Sequence, residues 1–222
     1  MTDRAKIKEI FTSIQGEGAY VGYKQLFVRF CGCNLDCQYC DTEHGTAGST
    51  VYTIDELVEV VRQHEDCHSI ALTGGEPLLH SGFLKEFLPQ CPLPVYLETN
   101  ATLSGELGEI IDYIDYISAD IKLPSCTGAG NYWKEHDAFF AKASYKELFA
   151  KIVFDENITE DEIVNSVKLG AKYGIELILQ PKTSSSLIKP DMKFVGEVLN
   201  KFLSKYRKVR LIPQVHKFLE VR

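Results

Sequence analysis

The stretch "FCGCNLDCQYCDT", Phe30–Thr42, places four of the chain's seven cysteines within ten positions. Three of them, Cys33, Cys37 and Cys40, follow the spacing Cys-x3-Cys-x2-Cys. Just before them, "QLFVRF" (Gln25–Phe30) has the apolar, aromatic-rich character of a strand. The thiols therefore stand on a loop leaving the carboxyl end of a strand, at about residues 31–42. Three thiolates suffice to ligate three irons of a cubane cluster and to leave the fourth iron open for a bound molecule. Structural zinc is the alternative. It asks for four ligands, usually as two paired halves, and no second Cys-x2-Cys half follows downstream. Cys31 is read as lying apart from the set of three.

Working outward, short β-branched and aromatic runs alternate with longer amphipathic segments. "SIALTG" (69–74), "PVYLETN" (94–100), "YISADIKL" (116–123), "FAKIVF" (149–154), "IELILQP" (175–181) and "KVRLIPQ" (208–214) read as further strands. Between them, "TIDELVEVVRQH" (53–64), "SGFLKEFL" (81–88), "GELGEIIDYI" (105–114), "TEDEIVNSVKLGAKYG" (159–174) and "KPDMKFVGEVLNKFLSKY" (189–206) read as helices. Thr53 with Glu56 three residues on has the form of a capping box. Alternating strands and helices imply right-handed βαβ units and an α/β fold with a mostly parallel sheet. Six or seven strands are too few for a closed eightfold barrel, so the expectation is a partial, open βα barrel, with an open doubly wound sheet as the alternative. In either, the site collects at the carboxyl ends of the strands, where "TGGEP", "ETN", "SADIK" and "LQPK" stand.

At 222 residues the chain is expected to form one domain, 1–222. Its formal net charge of -7 argues against a phosphate-neutralising nucleic-acid surface. There is no run of eighteen apolar residues and no secretory leader in "MTDRAKIKEIFTSIQ", so no membrane association and a cytoplasmic location are expected. There, clustered cysteines are more often metal ligands or redox groups than disulfides. The scattered Cys67, Cys91 and Cys126 read as buried or loop thiols.

The cysteine spacing, with Tyr39 just before the last thiol, resembles the signature of the radical S-adenosylmethionine superfamily, and "TGGEP" (Thr73–Pro77) resembles that superfamily's Gly-Gly-Glu-Pro motif. The resemblance implies a [4Fe-4S] cluster on Cys33, Cys37 and Cys40, with S-adenosylmethionine chelated to the open iron and cleaved to a 5′-deoxyadenosyl radical. It implies that Gly74, Gly75 and Glu76 hold the methionyl ammonium. Tyr39, Asp41, Ser118, Asp120, Lys122 and Gln180 then contact the rest of S-adenosylmethionine. An iron–sulfur electron carrier or a zinc module would share the thiols but leaves the polar strand ends unexplained.

The flanks "FTSIQGEGAYVGYKQLFVRFCGCNLDCQYCDT" and "LIPQVHKFL" resemble the 7-carboxy-7-deazaguanine synthase family within that superfamily. The implied activity is the radical ring contraction of 6-carboxy-5,6,7,8-tetrahydropterin to 7-carboxy-7-deazaguanine with loss of ammonia, on the route to queuosine-type 7-deazapurines. The implied substrate contacts are Ile14, Gln15, Gly16 and Glu17 of "IQGEG", Arg29 for the carboxylate, and Thr73 and His216. Asn100 also stands at a strand end. Thr42 is the implied Mg2+ ligand. Implied partners are an electron donor such as flavodoxin or ferredoxin and a second copy in a homodimer. After "ETN" the family often has Gly where this chain has Ala101. A glycyl-radical-enzyme activating enzyme shares the cysteine motif but has no need of "QGEG" or "QVHK".

Overall fold

The computed structural model describes residues 3–40, 42–184, 187–188 and 190–221. The seven strands expected from the sequence all form: β2 (Lys24–Phe30), β4 (Ser69–Gly74), β5 (Val95–Thr99), β6 (Tyr116–Asp120), β7 (Glu147–Phe154), β8 (Glu176–Pro181) and β11 (Val209–Leu211), all parallel. Two more extend the sheet: β1 (Arg4–Ile14), antiparallel to β2, and β3 (Thr50–Thr53), antiparallel to β1. The order is β11-β8-β7-β6-β5-β4-β2-β1-β3, and the two edges do not pair, so the barrel is partial and open. A two-stranded ribbon, β9 (Thr183–Ser184) with β10 (Leu187–Ile188), follows β8.

The helices are α1 (Ile54–Arg62), α2 (Ser81–Phe87), α3 (Ser104–Ile110), α4 (Pro124–Thr127), α5 (Trp133–Ala143), α6 (Glu160–Tyr173), α7 (Met192–Leu203) and α8 (Val215–Leu219). Local chemistry sets several boundaries. Thr53 and Glu56 exchange the two bonds of a capping box at the start of α1, and Thr159 and Glu162 do the same for α6. Gly174, in the left-handed region, ends α6.

Alternation divides the sheet into two faces. On β2, Leu26, Val28 and Phe30 join the main core beneath the helices, while Gln25, Phe27 and Arg29 face inward. The inner face has an apolar floor of Phe27, Ala71, Tyr96, Phe149 and Ile178. Above it lies a polar layer built from Arg29, Thr73, Glu98, Asp120, Lys151 and Gln180 on six neighbouring strands. The floor is closed from below by the loop after β1. Because Ile14 pairs with Lys24, that loop starts at the amino-terminal end of the parallel strands. It then crosses the inner face: the Tyr20 ring packs on Tyr96, Tyr116 and Phe149, and its hydroxyl bonds Glu147. Gly18, at φ +69°, lies so close to Phe149 that an added Cβ would stand 2.4 Å from the ring.

Candidate active site

One cleft of about 870 Å³ opens on the inner face. Cys33, Cys37 and Cys40 line it, whereas Cys31 is buried behind the loop with its N–H donating to the Lys6 carbonyl. Burial pushes the Cys33 and Cys37 thiols up, and the Lys122 ammonium partly reverses this. The Leu35 N–H donates to Cys33 Sγ at 3.4 Å. Among the described residues no three His, Cys, Asp or Glu groups are arranged to hold a single ion; what the three thiols share is one cleft wall. A thiol-only donor set with an N–H already aimed at one sulfur, next to an open cavity, fits an iron–sulfur cluster. Cys67, Cys91 and Cys126 lie in or against the core, away from this wall.

The double glycine anchors the thiol loop. Gly75 N–H donates to the Phe30 carbonyl and Glu76 N–H to the Gly32 carbonyl. A Cβ on Gly75 would stand 1.8 Å from the Gly32 oxygen, and one on Gly74, at φ +124°, 2.3 Å from the Phe30 oxygen. Both glycines also line the cleft. Glu76 departs from expectation: its side chain is 0 % exposed and does not reach the cleft wall. It accepts from Leu78 N–H, Thr99 Oγ1 and Asn100 N–H at 2.8–3.1 Å, tying the thiol loop to the end of β5. Burial raises its carboxyl to about 7 despite these donors. Thr99 and Asn100 take up the wall position instead, and Asn100 Nδ2 bonds Asn34 at 2.8 Å.

Tyr39, Asp120, Lys122 and Gln180 meet in the cleft as expected. Lys122 Nζ donates to Asp120 at 2.8 Å and to the Tyr39 hydroxyl at 3.2 Å, and lies over the Tyr39 ring. The Gln180 side chain is buried on the cleft wall, and among the described residues its Oε1 has no hydrogen-bond partner. Ser118 departs from expectation. It lies one layer lower on β6, buried near Tyr96, and does not line the cleft. Asp41 lies outside the described residues.

At the other end, Arg29 and Thr42 touch: Nη1 donates to Thr42 Oγ1 at 3.2 Å, while Nε donates to Glu9 at 2.7 Å. Gln15 is buried yet lines the cleft, and its side chain is bonded to its neighbours. Its amide donates to Gln25 at 2.9 Å and Glu98 at 2.8 Å, and its oxygen accepts from the Glu17 N–H. It positions neighbours, where a free recognition group was expected. Glu98, bonded also by Thr73 Oγ1 at 2.7 Å, is the carboxylate this network presents. Sequence reading passed over Glu98, though it stands in the quoted "ETN". Glu17 lines the cleft, paired with Lys151 and accepting from Gln214 Nε2 at 2.7 Å. Burial alone would raise its carboxyl, but Lys151 and these donors hold it at about 2. Lys151 was also passed over; the signal was a lysine inside the apolar strand "FAKIVF". Gly16 is needed by the chain itself, since an added Cβ would stand 2.4 Å from His216 Cβ and 2.5 Å from its Nδ1, and the Gly16 carbonyl accepts from Val215 N–H. His216 and Ile14 line the cleft at this end.

Comparison with known proteins gives a consistent picture. Residues 27–180 match the model of the radical SAM superfamily. The chain is 37% identical to the 7-carboxy-7-deazaguanine synthase of Geobacter sulfurreducens, over 97% of each chain. It is 36% identical to that of Archaeoglobus fulgidus, over 99% of this chain and 100% of the relative. Among solved structures, QueE from Escherichia coli shares the fold at a TM-score of 0.67 and 19% identity, covering 96% and 95% of the two chains.

Proposed function

This chain belongs to the radical S-adenosylmethionine superfamily and, within it, to the 7-carboxy-7-deazaguanine synthase family, and on that premise we propose that it contracts the ring of 6-carboxy-5,6,7,8-tetrahydropterin to 7-carboxy-7-deazaguanine with release of ammonia. The observation that carries the reading is the meeting of Arg29 and Thr42 in the cleft that also holds the three thiols. With a cluster held by Cys33, Cys37 and Cys40, S-adenosylmethionine supplies the one-electron chemistry that starts the reaction.

The protein's own groups do the rest. Arg29 keeps N–H donors beyond those given to Glu9 and Thr42, and they suit the substrate carboxylate. Thr42 Oγ1 accepts from Arg29 with one lone pair, leaving another for Mg2+, which takes few protein ligands and keeps several waters. Glu98 and ionised Glu17 accept from the donor edge of the pterin. His216 packs over Gly16 at the same end. Asp120, Lys122, Tyr39 and Gln180 line the S-adenosylmethionine half. A cleft closed at its floor suits a small molecule better than the segment of a protein that a glycyl-radical activator must admit. The reading takes residues 1–222 as one domain of a cytoplasmic homodimer served by an external electron donor. Among the described residues, no helix is long and apolar enough to cross a membrane.

The test is anaerobic reconstitution with iron and sulfide, then incubation with the pterin acid, S-adenosylmethionine, Mg2+ and a reductant, with mass spectrometry of the products. Formation of the deazaguanine acid and ammonia is expected. Cleavage of S-adenosylmethionine with the pterin acid returned unchanged would sink the substrate assignment.

A further inference from the structure

The inner face holds a buried cation that none of these roles uses. Lys151 stands in the middle of β7, 7% exposed, between Ala150 and Ile152 of the main core. A strand needing only packing would carry Leu or Met there, since a buried ion pair rarely outweighs a well-packed apolar replacement. Its ammonium contacts Glu17 on the loop after β1 and Asp120 at the end of β6, at 3.4 Å from the latter, and lies in the field of Glu98 on β5. It thus spans the substrate half and the S-adenosylmethionine half of the cleft. The remaining groups facing Glu17 come from the carboxyl-terminal segment: Gln214, bonded to it and to Lys217, and the His216 ring.

We propose that Lys151 is a positioning residue that keeps Glu17 ionised and aimed into the cleft, so that this carboxylate can accept from the donor edge of a pterin. The inference rests on the substrate reading above. An ionised carboxylate accepts at both oxygens, whereas a protonated one must present a donor to the pterin's own N–H groups. Without Lys151, a buried Glu17 loses the cation that opposes its desolvation and takes up a proton more readily. Lys151 itself is held charged: burial acts against its charge, but Asp120, Glu17 and Glu98 outweigh it.

The experiment uses reconstituted enzyme with S-adenosylmethionine bound, comparing the parent with Lys151→Met, Lys151→Arg, Glu17→Gln and the double variant Lys151→Met/Glu17→Gln. Two quantities are followed from pH 5.5 to 8: KM for the pterin acid, and the carboxyl and carboxylate bands in isotope-edited infrared spectra of labelled glutamate, taken without the pterin. In the parent, Glu17 stays ionised and contributes no slope. In Lys151→Met a protonated carboxyl band grows on acidification, and KM rises with it, by up to about tenfold per pH unit below the new pKa. Arg restores the parent profile. Both effects vanish in the double variant, which assigns them to Glu17. Should Lys151→Met not fold, Lys151→Gln takes its place. Infrared bands and a KM profile that match the parent in the Met or Gln variant overturn the proposal. A new carboxyl band in a protein whose parent form does not turn over the pterin acid leaves the charge-holding role standing and refutes the substrate reading instead.

Discussion

His136 is a neutral base sealed between two strand ends: its Nδ1 bonds the Ala101 carbonyl at 3.1 Å and its Nε2 accepts from Lys122 N–H at 3.1 Å. Burial lowers its pKa from 6.5 to about 4. The unfolded chain binds the extra proton between those values, so this stabilisation is complete above about pH 6.5 and is lost as pH falls toward 4. Glu76 has the opposite sense. Raised from 4.5 to about 7 by burial, its carboxyl stays protonated in the fold while the unfolded chain ionises, so its contribution is lost as pH rises from 4.5 to 7. Each effect is on the order of 2 kcal/mol between pH 5 and 7, and they oppose. Urea unfolding of the cluster-free protein is therefore expected to change little over that range. His136→Gln should make the protein more stable at pH 5 than at 7, and Glu76→Gln less; parallel profiles for the two variants would refute both assignments. Ala101 offers a second test. It is 0% exposed with φ +56°, a left-handed conformation that costs a non-glycine residue roughly 1–2 kcal/mol. Ala101→Gly should raise the melting temperature by about 2–4 °C, and a drop would show that the methyl group's packing outweighs the strain.

Among the elements, the thiol loop depends on a backbone contact more than on its own sequence. Gly75→Ala must push the Gly32 carbonyl aside, so iron and sulfide content after reconstitution should fall severalfold with all three ligand thiols present. By contrast, Cys31→Ala should leave the cluster's visible absorbance in place, while alanine at Cys33, Cys37 or Cys40 should remove it. The parallel strands were legible because each is a short apolar run ending in polar residues. What escaped sequence reading had blurred periodicity. In β1 a register shift between Ile7 and Glu9 breaks the alternation after Ala5 and Ile7. In α5 the buried stripe is His136, Phe139, Phe140 and Ala143, and its first member counts as polar until its two bonds are seen. The residues that the motifs single out, the three thiols, Arg29 and Thr42, do come together on one cleft. The site was not legible where a group works through its neighbours. Gln15 and Glu76 were read as ligand contacts because both are polar and stand in motifs; both are also bonded within the protein, and Gln15 lines the cleft while Glu76 does not. Glu98 and Lys151 became visible only when neighbouring strands put them side by side.

For the whole molecule, the two ends of the chain meet at the substrate end of the cleft. Helix α8 buries no residue fully, yet Val215 and Gln214 bond Gly16 and Glu17. Removing residues 214–222 should therefore change unfolding free energy by no more than about 1–2 kcal/mol, in the range of an exposed element's contacts. The same truncation should raise KM for the pterin acid by at least about tenfold, the equivalent of one lost charge-assisted contact. A truncated chain with parent-like KM would show that the carboxyl terminus only decorates the cleft.

The aromatic floor has a consequence for traffic. Phe27, Tyr96 and Phe149, with Tyr20 wedged beneath them, shut the lower end of the barrel, so nothing bound in the cleft passes out through its floor. Whatever binds there enters and leaves on the side away from that floor. Product release and substrate entry then queue at the same threshold. The deazaguanine acid should inhibit competitively against the pterin acid, and non-competitive inhibition in initial-rate assays would show a second way out.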